Sequence, residues 1–391
     1  MLHEMKKLTE YTSFIYHLLV NNNIKMKALM SSIVWINIVW KYDYLGVVIM
    51  ELFNPKTVID TVEALEAVVG EIPLLMTLKA IDHLDEGAIR WIAASPLFFA
   101  GFGEGEQIGV TLGGGDSGFV TADTHELRVP AAMLDDPTLA RPGMGFGSLF
   151  LLPDTGETMR VNGRVVDVID GEIRIRVEEC FGHCAKALIR SDFWKAAPNE
   201  SSPQDAANFV SASLFMALAT IDANGRADLS PKGDPADKMA RVENGCVWFA
   251  DRPGNHRTDS FHNIIAQPRV SALFLIPGST YVARVSGTAR ITIDEAIRAS
   301  FVVQGKTPAL AIAIESNNIE LRRSPALLRA KLWPVPEPTH GIQPTKIFLE
   351  HMKMNKNKSL EAELASAALS KPGFQDQLEK DLKKEYKDNL Y

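Results

Sequence analysis

The sequence predicts a mainly β protein with flanking helices, built from two tandem copies of one small barrel domain. Three observations carry this. Short segments alternate apolar and polar residues with period two, which marks half-buried strands. Gly and Pro punctuate these segments, and helical patterns concentrate toward the two ends of the chain. Above all, four motifs recur in the same order in two halves of the 391-residue sequence.

The repeat is explicit. Ser148-Leu149-Phe150-Leu151-Leu152-Pro153 returns as Ala272-Leu273-Phe274-Leu275-Ile276-Pro277. At the same offset of 124 residues, Arg160-Val161-Asn162-Gly163 returns as Arg284-Val285-Ser286-Gly287. Upstream, Ile92-Ala93-Ala94-Ser95 before Leu97-Phe98 matches Val210-Ser211-Ala212-Ser213 before Leu214-Phe215. Downstream, Ala187-Leu188-Ile189-Arg190 with Trp194 matches Ala326-Leu327-Leu328-Arg329 with Trp333. The copies are placed at 95–195 and 206–335, joined by a Pro-, Ser- and Asn-rich linker at 196–205. A chain of this length accommodates two such domains.

The elements follow in order. Residues 1–50 contain an uncharged run of 13 residues, Ala28 to Trp40, closed by Lys41 and Asp43. That is shorter than the roughly 20 residues a membrane span needs, and no small-residue cleavage site follows it. The stretch reads as an extension or an upstream translation start, with Met50 as an alternative initiator, or as a peripheral membrane anchor. Residues 51–94 form a helical lead-in. Val58, Leu65, Val68 and Val69 stand at helical spacing, Pro73 interrupts, and Ile81 to Ala94 make a second helix.

In the first copy Met159, Val161 and Val165 alternate with Arg160, Asn162 and Arg164, and Ile173, Ile175 and Val177 with Arg174, Arg176 and Glu178. Asp170-Gly171 between them signals a hairpin turn. Each copy is expected to open on a helix and to carry another before the strand ending Leu-Pro or Ile-Pro. In the second copy these are the strand Val247 to Ala250 and the helix Phe261 to Ala266, which stops before Pro268. After Pro344, within 336–391, mixed Lys and Glu predict a solvated helical tail.

The net charge of −7 argues against a general nucleic-acid binder. Three cysteines cannot make a disulfide framework, which fits a cytoplasmic protein.

The second copy carries the richest polar segments. Ser230-Pro231-Lys232-Gly233-Asp234 reads as a tight loop with a hydroxyl, a cation and a glycine, a combination suited to a phosphate. Asp251-Arg252-Pro253-Gly254-Asn255-His256-Arg257-Thr258-Asp259-Ser260 enters a helix, and a helix start beside Arg257 is an anion site. Taken alone, each is more often an ordinary loop or a capped helix with exposed arginines.

Together these segments resemble the pyridoxamine 5′-phosphate oxidase-like, FMN-binding split-barrel proteins. Asn263-Ile264 to Pro268-Arg269-Val270 matches as well, and the resemblance spans roughly residues 81–335. It implies two tandem split β-barrels forming a dimer-like pair within one chain. It also implies that Ser230, Lys232, Arg257 and Ser260 hold the FMN phosphate and that Phe249 and Ala250 pass beside the ring. The first copy departs from the pattern. Gly113-Gly114-Gly115-Asp116 stands where Pro231 to Asp234 stand, and Met133 and Asp136 face Arg257 and Ser260. One FMN per chain is therefore expected. The first copy instead keeps Cys180-Phe181-Gly182-His183-Cys184-Ala185-Lys186-Ala187-Leu188-Ile189-Arg190-Ser191, a segment matching the subgroup's C-terminal pattern. In the second copy Arg322 and Arg323 replace His183 and Cys184. Family members place flavin between subunits, so His183, Lys186 and Arg190 are expected to cover the ring from the first copy.

Cys180, His183 and Cys184 supply three local ligands where zinc needs four, so no metal is expected. The resemblance implies an FMN-dependent oxidoreductase acting on a small-molecule substrate, with NADH or NADPH as a possible partner. The alternative is a non-catalytic flavin- or haem-binding carrier or sensor. No Ser-His-Asp arrangement suggests nucleophilic catalysis. The chain is expected to be a monomer with an internal pseudo-dimer, or a homodimer.

Overall fold

The computed structural model describes residues 54–254, 257–316, 318–336, 341–357, 359–369 and 373–391. The expectations for residues 1–50 lie outside the described residues. A strand β1 (Val58–Ile59) and helices α1 (Val62–Val69), α2 (Leu74–Leu78) and α3 (Glu86–Ala94) come first. Thr61 caps α1 and Asp85 caps α3, each side chain accepting a backbone N–H three residues on. Val58 is not helical as expected. It pairs with Thr292, because it precedes the Thr61 cap and a β-branched residue suits a strand. The helix read from Ile81 begins only at Glu86, since Ile81 bridges to Cys180 and Asp85 takes the cap.

The first barrel holds β2 (Leu97–Glu104), β3 (Gln107–Gly114), β4 (Thr121–Ala122), β5 (Glu126–Pro130), β6 (Gly145–Leu151), β7 (Thr158–Ile169) and β8 (Glu172–His183), followed by α4 (Lys186–Arg190). The second holds α5 (Ala206–Ala212), β9 (Phe215–Ile221), β10 (Ala227–Gly233), β11 (Arg241–Glu243), β12 (Cys246–Ala250), α6 (Asp259–Ala266), β13 (Arg269–Leu275), β14 (Tyr281–Thr292), α7 (Glu295–Ala299), β15 (Ala311–Glu315), β16 (Ile319–Arg323) and α8 (Pro325–Ala330). Three further helices close the sequence: α9 (Pro344–Met354), α10 (Leu360–Leu369) and α11 (Phe374–Asp388).

Both sheets are antiparallel and share one strand order. The first runs β3-β2-β6-β7-β8-β5-β4 and the second β10-β9-β13-β14-β15-β12-β11. In the second, β15 and β16 divide the work of β8, each pairing with one half of β14. The register is consistent with one repeat match: Thr158 pairs with His183, and Val282, 124 residues on, pairs with Arg322. The expected hairpin at Asp170-Gly171 has positive φ at both residues (51° and 78°), the geometry of a type I′ turn.

Two differences between the copies shape the site. The second copy replaces that hairpin with the segment carrying α7 and Lys306. The first copy lacks the expected helix before β6. It has two 3-10 turns there, Ala131–Met133 and Pro137–Leu139. Pro137 removes a donor and restricts Asp136 before it, so an α-helix cannot run through.

Each barrel has its own apolar core. A third cluster lies between them, where Phe99, Leu112 and Leu149 of the first barrel meet Phe215, Leu229 and Leu273 of the second. The contact is reciprocal. A Cβ on Gly233 would lie 1.9 Å from the Ala187 carbonyl oxygen, and one on Gly114 would lie 2.2 Å from that of Ala326. Each barrel's last helix thus rests on the glycine-ended edge strand of the other.

The segment beyond Pro344 is helical, but it is not simply solvated. Ile347 belongs to the first barrel's core, and the fully buried His351 meets Asp85 at 3.2 Å. Among the described residues, no helix is long and apolar enough to cross a membrane.

Candidate functional site

The Ser230–Asp234 segment is strand rather than loop up to Gly233. Turn-favouring residues suggested a loop, but β10 is a sheet edge, where Pro231 costs no ladder hydrogen bond. Strand alternation then puts Asp228, Ser230 and Lys232 on one face. The Lys232 ammonium meets Asp251 Oδ1 at 3.3 Å and stands 4.6 Å from the centre of the Phe261 ring. Behind it, Arg252 Nε donates to Asp234 Oδ2 at 2.6 Å, a buried pair that fastens the two polar segments together. Burial pushes the Asp234 carboxyl up to about 6 despite Arg252.

The second segment leads into α6 with Thr258 at the cap position. Arg257 just before it meets Asp259 at 2.8 Å and Glu179 of the first barrel at 3.2 Å. Its guanidinium lies 4.1 Å from the centre of the Phe181 ring, also of the first barrel.

The first barrel supplies the opposite wall. His183 ends β8 and α4 follows within three residues, so His183, Lys186 and Arg190 emerge together. His183 is buried, and its Nδ1 has no hydrogen-bond partner among the described residues. Burial, with the charges of Arg160, Lys79, Arg257 and Lys232, holds the imidazole well below its usual range. It is neutral at pH 7.

These walls enclose one pocket of about 350 Å³. Ser230, Lys232, Ala250 and Arg257 of the second barrel line it together with His183, Lys186 and Arg190 of the first. Two other expected residues do not. Phe249 turns into the second barrel's core. Ser260 is buried beneath the pocket, its hydroxyl 3.5 Å from Asp228 Oδ2. Asp228 is also paired with the fully buried Arg160 of the first barrel. Cys180 is packed against the Met159 sulfur at 3.6 Å.

The pocket has contributors that the sequence reading missed. The Lys186 ammonium meets Glu385 at 2.9 Å and the Asn389 carbonyl at 2.7 Å, while Arg190 Nε donates to the Leu390 carbonyl at 2.7 Å. Tyr391 lines the pocket, with its ring centre 5.4 Å from the Arg190 guanidinium and 5.7 Å from that of Arg252. Lys306, from the inserted segment, bonds the Tyr391 carbonyl. A signal existed: Phe374, Leu378, Leu382 and Tyr386 recur every fourth residue, an apolar stripe on an otherwise charged helix.

The equivalent place in the first barrel is filled. Gly114 corresponds to Gly233, so Gly113 stands opposite Lys232, a register one residue from the sequence match. The lysine is absent in either register. A Cβ on Gly113 would meet the Phe98 ring at 2.3 Å and Leu134 at 2.9 Å. Arg329, the repeat partner of Arg190, bonds the Gly114 and Met133 carbonyls at 2.7 and 2.8 Å. Asp136 pairs with Arg284 at 3.0 Å, and Asp135 holds the start of α8 through Ser324 and Ala326. The acidic residues of this segment serve the contact between barrels.

Chemically, the composite pocket gathers six cations (Lys186, Arg190, Lys232, Arg252, Arg257 and Lys306) and the carboxylates of Asp234 and Asp251 around a neutral imidazole. That donor set fits a phosphate-bearing ligand with a planar polar body.

Residues 202–327 match the family model of pyridoxamine 5′-phosphate oxidase. Among solved structures, HupZ of Group A Streptococcus is similar at 20% identity, covering 32% of this chain and 98% of that one, with a TM-score of 0.27. General Stress Protein 26 of Bacillus anthracis is similar at 17% identity, covering 29% and 92%, with a TM-score of 0.23. HutZ, the haem storage protein of Vibrio cholerae, is similar at 13% identity, covering 31% and 93%, with a TM-score of 0.21. No curated protein matches the chain.

Proposed function

We propose that this chain, whose residues 202–327 carry a pyridoxamine 5′-phosphate oxidase-family domain, binds one FMN between its two barrels and is an FMN-dependent oxidoreductase. One observation carries the reading. Segments that decayed differently in the two copies converge on one pocket, with Lys232 and Arg257 on one wall and His183, Lys186 and Arg190 on the other. Lys232 and Arg257, with Ser230, would hold the phosphate. His183, Lys186 and Arg190 would border the ring, where cationic neighbours favour an electron-rich flavin. Ser260 would act from below, by fixing Asp228.

The cofactor, when bound, supplies hydride and electron transfer. The chain's own part is to position and to exclude water. The Arg252–Asp234 pair fixes the segment leading to Arg257, α4 docks on Gly233, and Tyr391 covers the pocket. The neutral His183 borders the pocket without adding charge. On this reading the working unit is one cytoplasmic chain acting on a small molecule.

The test is the absorption spectrum of the purified protein, mass identification of anything released on heating, and turnover with NADH or NADPH. Released FMN with turnover supports the proposal. Flavin without turnover makes the protein a carrier, and haem without flavin removes the FMN assignment.

A further inference from the structure

We propose that a second cavity, roofed by the last helices and adjoining the FMN pocket at His183 and Cys184, binds a small carboxylic acid with an apolar body. The cavity measures about 270 Å³ and lies between the first barrel and helices α9 to α11. Met76, Trp91, Ile347, Phe348, Leu378 and Leu382 make most of its wall.

The polar end of the cavity decides the ligand class. Lys79 lines it and is only 3% exposed. Its ammonium has no hydrogen-bond or ion-pair partner among the described residues and rests 5.4 Å from the centre of the Phe181 ring. Burying an ammonium without a partner is costly, and a ring face compensates only in part. His183 also lines this cavity, and its Nδ1 is unpartnered. Burial is the main force on both groups, and each is further influenced by Arg160 and Arg257 nearby. Cys184 and Asp259 act on Lys79 in the opposite sense. A carboxylate here would accept from Lys79 and from His183 Nδ1, while its apolar body fills the helix-roofed part. Glu157, at the wall, is held raised by burial and accepts from the Tyr386 hydroxyl at 3.2 Å, so it is committed to the roof.

This proposal does not require flavin in the neighbouring pocket. Its test is calorimetric titration of the full chain with octanoate, octanol and octylamine. Octanoate is expected to bind one to one, about tenfold or more tighter than octanol, with octylamine weakest. Lys79→Met should reduce octanoate to the level of octanol. Gly182→Leu should remove both, since a Cβ on Gly182 meets no atom within 4 Å and the larger side chain occupies the cavity without displacing backbone. Thermal unfolding of both variants checks that they fold. No octanoate binding, binding unchanged by both substitutions, or octanol binding as tightly as octanoate would each overturn the proposal.

Discussion

Substituting alanine at Gly233 and at Gly114 separates docking from cofactor binding. Neither glycine has a positive φ, so alanine is compatible with both backbones and only the contact changes. At Gly233 the new methyl would lie 1.9 Å from the Ala187 carbonyl oxygen, and at Gly114 it would lie 2.2 Å from that of Ala326. Real Cβ contacts stay beyond 3.0 Å, so backbone must move by about 1 Å at either place. Overpacking of this kind costs roughly 1–3 kcal/mol, and urea unfolding should show a similar loss for both variants. The consequences for FMN differ. Gly233→Ala lifts α4, which carries Lys186 and Arg190, off the pocket. Gly114→Ala lifts α8, whose Arg329 fills the closed counterpart. Fluorescence titration should therefore show FMN affinity reduced about tenfold or more, equivalent to 1.4 kcal/mol, for Gly233→Ala alone. Equal losses in the two variants, or native affinity in Gly233→Ala, would refute the composite pocket.

Three further outcomes are expected. Lys232→Ala should weaken FMN about tenfold or more, the worth of a charge-assisted contact of roughly 1.5–3 kcal/mol, and leave riboflavin nearly unchanged in the same titration. Lys79 is lowered by burial from 10.5 to about 8, so its charged form burdens the fold fully below pH 8, and the burden lifts as pH rises toward 10.5. Lys79→Met should accordingly stabilise the protein at pH 7 by about 3 kcal/mol, with the gap from wild type closing between pH 8 and 10.5 in urea melts. Tyr391→Ala should speed FMN association by about five- to thirtyfold in stopped-flow mixing, since ring contacts with Arg190 and Arg252 are worth roughly 0.5–1 kcal/mol each. An unchanged rate would mean the ring does not restrict entry.

Much of the architecture was legible because repetition is a sequence property. The matched motifs around Leu151 and Leu275 became equivalent strands, and the register places His183 opposite Arg322 as the repeat implied. Paired decay of the two copies pointed to one shared pocket, and Lys232, Arg257, His183, Lys186 and Arg190 do converge. What escaped was decided by context. Pro-Lys-Gly-Asp reads as a turn, but Pro231 is tolerated in a strand because β10 lies at an edge. Phe249 and Ser260 stand in matching segments, yet strand and helix periodicity point their side chains inward. The tail looked solvated because Lys and Glu are mixed along it. Its contacts reach some 200 positions back in the sequence, as from Asn389 to Lys186 (|i−j| = 203), and no local pattern encodes such a partner.

One FMN held jointly by two unequal barrels has a stoichiometric consequence. Equilibrium dialysis of the full chain against FMN, read by flavin absorbance and protein concentration, tests it most directly. The predicted result is saturation at one FMN per chain, independent of protein concentration, because both walls come from the same molecule. Saturation at two FMN per chain, or no retained flavin, would contradict it.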